Sequence, residues 1–120
     1  MGLSIGFHDG KMTAIYELLY QMGVGPSRMC FYYTACAARL AVENPENLLL
    51  ITKKIYPEVS RRCGAKQHTI EHGIRCVINR IWTKYPEAFS VQLDADLTKR
   101  PTPTEFIIML ARKVEFPLVS

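Results

Sequence analysis

Residues Tyr56 to Trp82 read YPEVSRRCGAKQHTIEHGIRCVINRIW. Pro57 suits the first turn of a short helix, where its missing N–H costs nothing. Gly64 stops that helix. A longer helix follows from Gln67 to about Lys84, and Pro86 ends it. Two helices joined by a tight, glycine-containing turn form a helix-turn-helix, a unit that lays its second helix in the major groove of DNA. The helix-turn-helix is expected at about residues 57–84, and the rest of the chain reads mainly as its scaffold.

On a helical wheel the longer helix divides cleanly. At about 100° per residue, Ile70, Ile74, Val77, Ile78 and Ile81 fall in one arc of roughly 100°, the width of a core-facing stripe. His68, Glu71, His72, Arg75 and Asn79 fall on the other side. Arginine can bind guanine through two hydrogen bonds, asparagine can pair with adenine, and glutamate can accept from cytosine. These five are the candidate base-contacting residues, the N-terminal four being better placed than Asn79. Arg61, Arg62 and Lys66 precede them and are candidate phosphate contacts, which fix position on the duplex. Gly73 flanks the apolar stripe, where a missing side chain would let another helix come close.

Charge supports an anionic partner. The chain has 120 residues and a formal net charge of +4. Lys53, Lys54, Arg61, Arg62, Lys66, Arg75, Arg80 and Lys84 share one window, opposed only by Glu58 and Glu71. An apolar fraction of 48% and a charged fraction of 22% are those of a globular domain and argue against disorder. Cys30, Cys36, Cys63 and Cys76 have no C-x-x-C spacing, and no signal peptide precedes the domain. A reduced, cytoplasmic protein is expected. The longest aliphatic run, Leu48 to Ile51, is too short to span a membrane.

The remaining segments read as helices. Residues 1–11 read as a loose leader, with His8 and Asp9 as a surface pair, and residues 12–120 as the domain. Helices are expected over Thr13 to Met22, Ser27 to Val42 and Glu46 to Ile55, with a short one near Ala88. The tyrosines Tyr20, Tyr32 and Tyr33 and Phe31 lie at core spacing. Thr102-Pro103-Thr104-Glu105 is a capping box opening the last helix, whose buried face is expected to be Phe106, Met109, Leu110 and Val114. No strand alternation is sustained. The fold class is therefore all-α, a single domain of about six helices with a helix-turn-helix and no clear wing.

Catalytic signatures are weak. There is no P-loop, G-x-G-x-x-G or G-x-S-x-G, so no enzyme activity and no cofactor are expected. His68-Thr69-Ile70-Glu71-His72 does match H-x-x-E-H, two histidines one turn apart that could hold zinc with Glu71 as base. Cys76 extends the spacing by another four residues, but a zinc peptidase of that kind needs a third protein ligand and a substantial cleft, and the chain offers neither clearly.

Several of these residues also carry a family likeness. Ile51-Thr52-Lys53, Tyr56-Pro57, Arg61-Arg62, Ile70-Glu71, Gly73-Ile74-Arg75 and Trp82 occur in order, followed by Arg100-Pro101-Thr102 and Glu105-Phe106-Ile107. With Ile15 and Gly23-Val24 before them, they resemble the C-terminal DNA-binding domain of the stage 0 sporulation protein A family, the response regulators of endospore initiation. The likeness runs from Met12 to Val114. It implies a six-helix effector domain that binds double-stranded promoter DNA, often as tandem or dimeric copies, and touches an RNA polymerase sigma factor. Glu71 and Arg75 match the family's recognition helix. His68-Thr69 stands where the family has serine-arginine, His72 where it has arginine, and Glu87 to Lys99 diverges. Two other functions stay open: a protein-interaction module of the same fold with weakened DNA binding, and a zinc-binding protein at the H-x-x-E-H segment.

Overall fold

The computed structural model describes residues 9–43, 46 and 50–115. Among these are six α-helices, one π-helical turn and no strand: α1 (Gly10–Gln21), α2 (Met29–Glu43), the π turn (Ile51–Ile55), α3 (Tyr56–Cys63), α4 (Gln67–Lys84), α5 (Ala88–Leu93) and α6 (Pro103–Glu115). None of these helices is long and apolar enough to cross a membrane.

α2 is the central helix. It packs against α1, α3, α4 and α6. Ala35, Cys36, Ala37, Ala38 and Ala41 are all buried, and so is every residue from Tyr33 to Val42. A helix buried on all sides belongs in the middle of a core. Small side chains let four neighbours approach it at once. The core around it is completed by Ile15 and Leu19 from α1, Ile55 from the π turn, Ile70, Ile74, Ile78 and Ile81 from α4, Phe89 from α5 and Phe106 from α6.

The N-terminal boundary differs from the expectation. α1 begins at Gly10, inside the segment read as a leader. Asp9 caps it, its carboxylate accepting from the Met12 N–H at 3.0 Å, which satisfies one of the helix's orphan donors. Asp9 is also no mere surface pair with its neighbour. Its carboxylate accepts from Nε and Nη2 of Arg39 on α2, and Arg39 is buried. That guanidinium, then the Met12 N–H, hold the Asp9 carboxyl at about 2. Residues 1–8 lie outside the described residues.

The expected third helix, Glu46 to Ile55, falls partly outside them as well. Its described end, Ile51–Ile55, is a π turn: the Tyr56 N–H donates to the Ile51 carbonyl, one residue further back than in an α-helix. The turn runs straight into α3. α5 stands where a short helix was expected. Asp94 ends it in the left-handed region, at φ 56°.

The capping box of α6 forms as expected. The Glu105 N–H donates to Thr102 Oγ1 at 3.2 Å, and the Thr102 N–H donates to Glu105 Oε1 at 2.8 Å. The buried face is turned by one residue. Phe106, Ile107, Leu110 and Ala111 are buried, while Met109 and Val114 are only partly covered. α6 packs against α1, α2, α4 and α5, so neighbours on several sides set its buried arc. Tyr20 also departs from the core role expected of it. It stacks on Phe31 but remains exposed.

Candidate nucleic-acid interface

α3 and α4 meet through a three-residue turn, Gly64-Ala65-Lys66. Gly64 adopts φ 69° and closes α3 by donating its N–H to the Ser60 carbonyl at 2.9 Å. That left-handed conformation favours glycine. The Ser60 hydroxyl donates to the Ala65 carbonyl and ties the turn down. Lys66 is extended and precedes the first residue of α4.

The apolar stripe of α4 is buried as the wheel places it. Ile70, Ile74, Val77, Ile78 and Ile81 are each at most 2% exposed. Gly73 explains how close α2 comes. A Cβ at Gly73 would lie 2.9 Å from the Tyr33 ring and 3.1 Å from Cβ of Cys30. A side chain there would push α4 away from α2, so the glycine fixes how deeply the helix is seated.

The opposite face of the N-terminal half is open. His68, Thr69, Glu71, His72, Arg75 and Cys76 are all exposed. Glu71 and Arg75 form a loose pair at 3.6 Å, each about half exposed. His72 Nε2 lies 3.5 Å from the Cys76 sulfur. Tyr56 backs this face. Its phenol is pushed up to about 12, first by burial and then by the Glu71 charge.

Asn79 is a correction. The wheel puts it opposite the stripe, yet it is half-buried and its Oδ1 is shielded without a hydrogen-bond partner among the described residues. A wheel assumes one covered flank, whereas α2, α3 and α6 all pack on α4. Asn79 therefore leaves the open face, which His68, Glu71, His72 and Arg75 share.

The two arginines of α3 are also less free than their sequence suggests. The Glu58 carboxylate accepts from Arg61 and from Nε of Arg62, the latter at 2.7 Å. These two cations, Arg61 first, draw the Glu58 carboxyl down to about 2. Arg61 stays exposed, but the Arg62 side chain is only 24% exposed. Lys66 is exposed at the turn. Lys53 and Lys54 on the π turn are exposed nearby in sequence.

His68 and His72 are both exposed on α4. Among the described residues no three His, Cys, Asp or Glu side chains are arranged to hold a metal ion.

Some residues beside α4 escaped the sequence reading. Arg28, from the loop before α2, lines a cavity of about 460 Å³ with Thr69, His72, Cys76 and Arg80 of α4. No sequence period links Arg28 to α4. The small residue at Gly73 was the one available signal that α2 passes close by.

A family model described as sporulation initiation factor Spo0A C terminal matches residues 15–114. The match spans all six helices, from within α1 to the last turn of α6. That family is a DNA-binding regulatory domain and not a known enzyme family. With its helix-turn-helix seated on α2 and the match running over nearly its whole length, the chain belongs to the family of Spo0A C-terminal domains, the DNA-binding domain of a sporulation regulator.

Proposed function

We propose that this chain is a sequence-specific, double-stranded DNA-binding transcription regulator that places the N-terminal half of α4 in the major groove. The observation that carries the reading is the open face of α4. His68, Glu71, His72 and Arg75 stand exposed together, on a helix whose other face is fully buried. In this reading Arg75 contacts a base edge, with Glu71, His68 and His72 beside it. Arg61 and Lys66 hold phosphates on one flank, and Arg62 adds to their field while staying packed against Glu58. Tandem or dimeric copies on the duplex and a contact with an RNA polymerase sigma factor belong to the same proposal.

Selection from random duplexes tests it. An enriched sequence is expected, and Arg75→Ala is expected to lower affinity for it. No enrichment, together with affinity that Arg75→Ala leaves unchanged, would overturn the reading.

A second reading is supported by the Glu58 pairs. A helix-turn-helix whose single carboxylate Glu58 engages two arginines, and whose His68, Thr69 and His72 stand where the resemblance implies serine-arginine and arginine, suits a protein partner. Failure of the selection, with stable capture of a protein through the α4 face, would favour that reading.

A further inference from the structure

We propose that Cys76 is a thiol-exchange site for anionic, low-molecular-weight disulfides, which bind in the cavity between α2 and α4. Four observations meet there. Cys76 is exposed on α4. Its sulfur lies 3.5 Å from Nε2 of His72, one turn earlier, which is a proton acceptor in the tautomer that carries its hydrogen on Nδ1. Both residues line the cavity of about 460 Å³, a volume within the range of small-molecule sites. Arg28 and Arg80 line the same cavity, and no ion pair among the described residues holds either of them.

Two of the other three thiols are less suited. Cys36 is buried, and its contact with Cys63 and its burial hold it protonated. Cys30 lines the cavity, but burial first and the nearby Cys76 second push its thiol up. It stays protonated while Cys76 reacts. Cys63 is lowered by the Cys36 thiol and is the competitor that the experiment has to separate.

The step balances with the incoming disulfide as its oxidant. His72 Nε2 takes the Cys76 proton. The thiolate attacks one sulfur of the disulfide R–S–S–R, the ligand S–S bond breaks, and a Cys76–S–S–R bond forms. The released RS⁻ collects the proton from His72 and leaves as RSH. The protein sulfur is oxidised and one ligand sulfur is reduced. Arg28 and Arg80 receive the ligand's carboxylates, and Val77 and Met29 face its apolar part. The adduct adds a bulky anion to α4, and its consequence for DNA rests on the function proposed above.

The test is reaction of the intact protein with glutathione disulfide, and separately with uncharged hydroxyethyl disulfide, read by intact mass and peptide mapping. Glutathione is expected first at Cys76. Arg28→Gln with Arg80→Gln should slow glutathione disulfide roughly tenfold, at the low end of electrostatic steering, and leave the uncharged reagent unaffected. His72→Gln should slow both reagents roughly tenfold, less than a base contributes in a closed site, because this one is open to water. Circular dichroism confirms that the variants are folded. First modification at Cys63 or Cys30, or equal loss with both reagents in the arginine variant, would overturn the proposal. The adduct should bind duplex DNA more weakly until dithiothreitol removes the cap. If the unmodified protein bound no duplex, the DNA reading would fail and the exchange chemistry would stand on its mass data.

Discussion

The two helices of the helix-turn-helix treat their charges in opposite ways. α3 carries Glu58, Arg61 and Arg62 at i, i+3 and i+4, so one carboxylate captures both cations. α4 carries its polar groups across a wider arc, and its one charged pair, Glu71 with Arg75, stays loose at 3.6 Å. A count of basic residues, Arg61 and Arg62 on α3 against Arg75, Arg80 and Lys84 on α4, would credit both helices with similar charge. Spacing shows that α3 uses its charges largely within itself, while α4 leaves its polar groups to solvent and a partner.

Variants that test this contrast fall in order of expected effect. Ile74→Ala removes a fully buried side chain from the stripe that seats α4. It should destabilise the fold by about 2–5 kcal/mol in urea titrations. A loss well under that range would mean that α4 is not seated as described. Gly73→Ala puts a methyl group 2.9 Å from the Tyr33 ring, and overpacking of this kind costs about 1–3 kcal/mol. Thermal unfolding reads it, and an unchanged midpoint would remove the close approach of α2 from the account.

Arg75→Ala should leave stability almost unchanged and weaken specific DNA binding by about 1–3 kcal/mol, as for a base-contacting arginine. Fluorescence titration against the selected duplex measures it. Equal losses on specific and random duplexes would make Arg75 a phosphate contact instead. The smallest effect is expected at Glu58. Its folded carboxyl sits at about 2, below the ordinary 4.5. The stability it contributes is therefore present above 4.5 and fades as pH falls from 4.5 toward 2. Because the pair is solvent-screened, that contribution is under about 1 kcal/mol. Glu58→Gln should flatten this part of the pH–stability curve. By releasing Arg61 and Arg62 it should also steepen the salt dependence of DNA binding. A salt slope unchanged by Glu58→Gln would show that neither arginine reaches the duplex.

Local signals were the readable ones. The stripe from Ile70 to Ile81, the turn at Gly64 and the capping box at Thr102 each lie within a few residues, where period and capping chemistry act directly. Gly73 was readable too, because a small residue beside an apolar stripe has few other uses. The rest depended on neighbours remote in sequence. Asp9 and Arg39 are thirty residues apart, and nothing in the pattern joins them. Asn79 and the turned face of α6 went astray because one helix's wheel says nothing about how many other helices surround it. The π turn at Ile51–Ile55 escaped for a related reason: a five-residue apolar-polar-basic-basic-apolar run fits an α-helix equally well. The site was legible to the same degree. The open face at His68, Glu71, His72 and Arg75 follows from period alone, and the grip of Glu58 on Arg62 is implicit in their i, i+4 spacing, while the cavity reached by Arg28 depends on how α2 crosses α4.

One contact has a use in engineering. Lys11 Nζ lies 2.9 Å from the Glu115 carboxylate, so the first turn of α1 meets the last turn of α6. The two ends of the folded unit thus emerge side by side. A short peptide could join them, and the chain could be reopened in an exposed loop such as the one after α5, giving a circularly permuted domain with the α3–α4 unit unbroken. The same adjacency would allow this domain to be inserted whole into a surface loop of a host protein, with both junctions close together.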